Sequence, residues 1–117
     1  MNKSEELIKL IIAHDFKGYR SIIKNKSNSL TLKSLVDTAL SKDLYKMLIT
    51  SCEPLYNSDR DAIIIRESSN NIFSTLIREK GVFVDKFENL SKEEALRTYF
   101  DYLLYLNGNS APDSGRK

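Results

Sequence analysis

Few residues in this chain could do chemistry, and they are scattered. It holds one histidine, His14, and one cysteine, Cys52. A structural zinc site takes four Cys or His ligands, which this pair cannot supply, so no metal is expected. A nucleophile–base pair would need the fold to bring His14 and Cys52 together, and nothing local to either does so. Gly18, Gly81, Gly108 and Gly115 stand far apart, so there is no glycine-rich loop to cradle a phosphate. No arginine lies before His14, which removes the Arg–His spacing of small helical ribonucleases. Carboxylates are plentiful, but exposed carboxylates alone are not an active site. The expectation is a non-enzymatic protein without cofactor or metal. Cys52 follows Leu48 at helical spacing and reads as a small buried hydrophobe.

Two charged groupings point instead to binding. Lys17, Arg20 and Lys24 fall within about 60° of one another on a helix, opposite Phe16, Tyr19 and Ile22. No acidic residue lies between Lys17 and Lys26, so this face could hold a phosphate backbone or an acidic protein patch. It lacks an interleaved exposed aromatic for stacking bases, and nucleic acid is not the expected partner. Thr31 to Thr50 could form a helix-turn-helix. Its second helix, however, offers Lys42, Asp43, Tyr45 and Lys46, a poor set for phosphates or base edges. The second grouping is on the last helix, where Glu94, Thr98, Asp101 and Tyr105 fall within about 40° of Glu94, with Tyr102 on the flank. The apolar positions of that helix can pack without them. A tyrosine among carboxylates suits a wet interface, so Glu94, Asp101, Tyr102 and Tyr105 are the expected partner-binding face.

The elements that must carry these groups read as helical. Ser4 caps a first helix with Leu7, Ile8, Ile11 and Ile12 on one face, and His14 falls near its end. Asp15 caps a second, with Phe16, Tyr19, Ile22 and Ile23. The polar stretch from Asn25 to Ser29 is a loop. Thr31 or Ser29 caps a third, with Leu32, Leu35, Val36, Ala39 and Leu40. A fourth continues from Leu44 through Cys52 and stops at Pro54. Ser58 and Asp61 resemble a capping box that opens the longest helix, ending at Gly81, with Ala62, Ile65, Ser69, Ile72, Phe73 and Leu76 in one stripe. Against that helix, Ile63, Ile64 and Ile65 favour a strand and Ser68-Ser69-Asn70-Asn71 a turn. The segment Val82 to Phe87 could be extended but has no evident partner strand. Ser91-Lys92-Glu93-Glu94 is a capping box opening the last helix, with Ala95, Leu96, Tyr99, Phe100, Leu103 and Leu104 at helical spacing. The expected fold is all-α, a compact bundle of five to six helices with a possible short extended segment near 82–87. It forms one domain over residues 1–106, followed by a disordered tail over 107–117.

Composition agrees with a small globular protein. The 117 residues are 41% hydrophobic and 29% charged, too apolar for a disordered chain. That length suits a single domain with its own core. The net charge of +2 is too small to imply nucleic acid by itself. No apolar run approaches the ~20 residues of a membrane helix, and the acidic start is unlike a signal peptide. An unpaired cysteine suits a reducing compartment, so the expected location is the cytoplasm. Charge is uneven along the chain. Residues 1–46 carry nine basic and five acidic side chains, whereas residues 53–101 carry seven basic and ten acidic.

The acidic run Glu79, Asp85, Glu88, Glu93, Glu94 and Asp101, with Tyr102 and Tyr105 beside it, resembles in size and style the bacterial immunity proteins of contact-dependent inhibition and other polymorphic toxin systems. The resemblance implies a monomeric or weakly dimeric protein that binds and neutralises a cognate toxin domain of nuclease type. An acidic patch would steer association with the basic cleft of such a nuclease. Two alternatives stand beside it: a small nucleic-acid-binding regulator using Lys17, Arg20 and Lys24, and a phage-encoded inhibitor of a host defence complex.

Overall fold

The computed structural model describes residues 2–25, 30–49, 52–54 and 62–106. These form five helices and four strands. Helices α1 (Lys3–Ile12), α2 (Phe16–Lys24), α3 (Leu32–Ser41) and α4 (Tyr45–Ile49) come first. Strands β1 (Cys52–Pro54), β2 (Ala62–Ser69), β3 (Ile72–Glu79) and β4 (Val82–Leu90) follow, and α5 (Lys92–Leu106) closes the described part. The strands make one antiparallel sheet in the order β1-β2-β3-β4.

The helices follow their caps and apolar faces. The Asn2 side chain accepts from Glu5 N–H, so α1 starts two residues earlier than a Ser4 cap would set. Ser4 is instead buried and shares a 2.6 Å hydroxyl hydrogen bond with Ser34 of α3. Asp15 caps α2 and Thr31 caps α3, as their types and positions predict. In α5, Ser91 and Glu94 close a reciprocal capping box: Glu94 N–H donates to Ser91 Oγ at 3.2 Å and Ser91 N–H donates to Glu94 Oε1 at 2.9 Å. The helical stretch read through Cys52 stops at Ile49, and the backbone of Cys52–Pro54 pairs with β2.

The all-α expectation, a bundle of five to six helices, is overturned by the sheet. The segment read as one long helix is the β2–β3 hairpin. Ser69 pairs with Ile72 across a two-residue turn, Asn70-Asn71, in which Asn71 holds φ at 60°. Glu67 accepts from Asn71 N–H, and Ser68 donates to the Ile72 carbonyl. The helical stripe was an accident of spacing. Ile65 and Phe73 do enter the core, but from two strands. Leu76 sits on the opposite sheet face, and Ile72 is 40% exposed. In β3, Phe73 to Ile77 are all buried, which erases the period-two alternation that would have announced a strand. The segment near 82–87 has its missing partner in β3, through a second hairpin whose turn residues Lys80 and Gly81 both hold positive φ. Positive φ at both central residues is the type I′ geometry that matches strand twist.

The helices pack on one face of this sheet. Ile63, Ile65, Phe73 and Ile77 meet Leu7, Ile8, Ile11, Tyr19, Ile23, Leu35, Leu48 and the α5 residues Leu96, Tyr99, Phe100 and Leu103 in one core. Helix α5 is central, between α3 and the sheet. Buried Thr75 donates to the Ala95 carbonyl at 2.8 Å, which locks β3 to the first turn of α5. Lys92 sits over the Tyr45 ring at 4.1 Å and joins the same turn to α4. Ser58, Asp61, most of the Asn25–Ser29 loop and the 107–117 tail lie outside the described residues.

Candidate functional site

The four residues expected on the partner-binding face have different fates because α5 is enclosed on more than one side. Asp101 is 5% exposed and Tyr102 1% exposed. Tyr102 reaches the sheet, where its hydroxyl donates to Asp85 Oδ2 at 2.6 Å and its ring meets Phe87 at 5.7 Å. Thr98 is buried as well and donates to the Glu94 carbonyl. Tyr105 is half-buried. Glu94 is exposed, but its carboxylate serves the capping box. The Ser91 backbone N–H and then the Ser91 side chain hold its pKa below the usual carboxylate value. Helical geometry does bring these residues to one side of α5. The premise that packing could dispense with that side does not hold, because the sheet and α3 use nearly the whole circumference.

The sequence left the stronger surface signal unread, at the start of β4. Val82, Phe83 and Val84 are 63%, 40% and 50% exposed. Three consecutive apolar residues on a half-buried strand should alternate inward and outward. Here a register shift between Ile77 and Arg78 inserts Val84 as an extra residue, so the tip of β4 runs off the helical layer. Phe83 lies opposite Arg78, and Lys86 sits 5.6 Å from its ring centroid. Among the described residues strand β4 is also the sheet edge, so one row of its backbone groups has no strand partner there. Toward the end of β4 Glu88 is exposed, and Glu93 and Glu94 are exposed in the first turn of α5.

Lys17, Arg20 and Lys24 do come together. They line an open cleft of about 590 Å³ with His14, Asp15, Phe16 and Ser21. Helix α2 buries Tyr19, Ile22 and Ile23 against its neighbours, mainly α1, which turns the basic stripe outward. The Arg20 guanidinium carbon lies 5.5 Å from the centroid of Phe16, whose ring packs edge-on against Tyr19, so Phe16 lines the basic face rather than standing opposite it as the helical spacing suggested. The single carboxylate in the lining, Asp15, accepts from Gly18 N–H at 2.9 Å as the helix cap. A Cβ at Gly18 would lie 2.7 Å from Asp15 Oδ2, so glycine there lets the cap fold in closely.

Among the described residues no group of three or more His, Cys, Asp or Glu side chains is placed to hold a metal ion, and no helix is long and apolar enough to cross a membrane. Comparison of the chain with protein-family models, with curated proteins and with solved structures gives no match.

Proposed function

We propose that this chain is a non-enzymatic, cytoplasmic protein-binding module of the immunity kind, which docks the outer end of β4 onto a basic toxin domain. The observation that carries this reading is the exposure of Val82, Phe83 and Val84 side by side at a sheet edge. Contiguous apolar surface at an edge strand is costly to leave in water, and natural edges are usually shortened or charged. Farther along the chain, past Lys86, Glu88 is exposed at the other end of β4, and Glu93 and Glu94 are exposed at the start of α5. In this reading the apolar tip supplies affinity, and the carboxylates farther along β4 and at the start of α5 speed encounter with a basic partner. Interface placement of Asp101 and Tyr102 has no support in their burial, so the contact surface belongs on β4 rather than on the polar side of α5. The unpaired cysteine type and the small size fit the same reading.

Co-expression with the product of the adjacent gene, followed by co-purification and an affinity measurement, tests it. Phe83→Ser and Val84→Lys should each leave the fold intact and weaken the complex about thirtyfold, the effect of losing an anchor worth about 2 kcal/mol. Complex formation with unchanged affinity in both variants would remove β4 from the interface.

A further inference from the structure

The α2 cleft is a second surface, on a different element from β4, and its charge pattern is unlike that of α1 and α3. Three lysines of α1 and α3 have carboxylate partners one turn away. Lys3 meets Glu6 at 3.3 Å, Lys9 meets Glu5 at 3.1 Å and Lys33 meets Asp37 at 2.8 Å. Helix α2 contains no acidic residue. Among the described residues no carboxylate lies within ion-pair distance of Lys17, Arg20 or Lys24, and Asp15 is engaged as the cap. Three cations without counter-charges on one helical face repel one another and lower helix stability slightly. An anion in the cleft would relieve that repulsion.

We propose that this cleft binds a phosphorylated small molecule of nucleotide size, with Arg20, Lys17 and Lys24 on its phosphates. The cleft is open and lies along one face of α2, with about 590 Å³ in front of these side chains. Lys17 and Lys24 are separated by about 10 Å along the helix axis, the reach of a di- or triphosphate with its sugar rather than of an extended polymer track. Arg20 is the anchor. Its guanidinium carbon lies 5.5 Å from the Phe16 ring centroid, and a planar guanidinium fork is suited to two phosphate oxygens at once. The Ser21 hydroxyl adds a neutral donor, and Phe16 with the lysine stems gives the cleft an apolar wall for a sugar or base.

The test is equilibrium binding of a fluorescent nucleoside triphosphate at ~150 mM salt, where loosely held surface counter-ions are screened. The expected result is saturable binding that inorganic pyrophosphate competes and the unphosphorylated nucleoside does not. Arg20→Gln should weaken it about tenfold or more, and Lys17→Gln and Lys24→Gln less, with unchanged circular dichroism in all three. Absence of saturation up to ~1 mM, a weak-binding limit near 4 kcal/mol, would overturn the proposal. So would affinity indifferent to Arg20→Gln. Preferential binding of a duplex or single strand, falling steeply with salt, would also overturn it and assign the face to a nucleic-acid backbone instead.

Discussion

Tyr102 on α5 donates its phenolic hydrogen to the Asp85 carboxylate on β4 at 2.6 Å, a bond that ties the central helix to the outermost strand of the sheet. Asp85 pairs with Ile77 and turns to the helix-covered side of β4, where an unpartnered carboxylate would be costly. The tyrosine makes that orientation tolerable, and an inward-turned charge is one of the devices that keeps an edge strand from extending its pairing. Tyr102→Phe should therefore lower stability by about 1–2 kcal/mol, the range for a hydrogen bond to a charged group. Urea unfolding of Tyr102→Phe, Asp85→Asn and the double variant gives the coupling between them. Strict additivity would show that the bond contributes nothing.

Glu94 sets a pH dependence whose sign follows from its capping role. Hydrogen bonds from the Ser91 backbone and side chain lower its folded pKa below the unfolded value. The contribution to stability is then fully present above the unfolded carboxylate pKa and is lost as pH falls through the depressed folded pKa. Thermal midpoints of the parent and of Glu94→Ala, measured from pH 7 down to pH 3, should differ at neutral pH. The difference should shrink as the pH falls through the depressed carboxylate pKa. A difference that stays constant over the whole acid titration would mean that the side chain acts through packing rather than through the charged cap.

The helical half of the molecule was legible because caps and apolar faces agree there: Asp15, Thr31 and Ser91 each stand one position before a run with 3.6-residue periodicity. The sheet was not, and the reason lies in β3. Its burial on both faces from Phe73 to Ile77 removes alternation, while the two-residue turn at Asn70-Asn71 spaces Ile65, Ile72, Phe73 and Leu76 as a helix would. Local chemistry did carry the contrary signal. Consecutive β-branched residues at Ile63, Ile64 and Ile65, followed by a Ser-Asn cluster, describe a strand and its turn. The basic stripe on α2 was also legible, since it needs only one helix. The α5 face was not, because whether a helix is covered on its polar side depends on elements far away in sequence. The tip of β4 could be recognised only once β3 was available to pair with it.

The β3–β4 turn makes a further demand. Lys80 holds φ at 53° and Gly81 at 81°, and only glycine takes the second value without strain. Gly81→Ala should cost about 1 kcal/mol or more. Lys80→Asn should gain about 0.5 kcal/mol, because Asn-Gly is the preferred type I′ pair. Chemical denaturation of the two variants reads both effects. Equal stability of Gly81→Ala and the parent would contradict the turn geometry, and with it the register that sets Val82 opposite Glu79.

Two phenylalanines ten positions apart separate the core from the proposed interface. Phe73 is 2% exposed, packed in the core between sheet and helices, whereas Phe83 is 40% exposed at the tip of β4. Truncating a buried phenylalanine removes its transfer free energy and leaves a cavity, so Phe73→Ala should cost about 3–5 kcal/mol. Phe83 is 40% exposed and outside the core cluster, so Phe83→Ala should stay within about 1 kcal/mol of the parent. Urea titrations at unchanged m-value measure both. The contrast should invert on binding: the Phe83 variant loses partner affinity at full stability, and the Phe73 variant binds normally to the extent that it is folded. A Phe83→Ala variant as unstable as Phe73→Ala would place Phe83 in the interior. The exposed apolar end of β4, and the interface built on it, would then have to be given up.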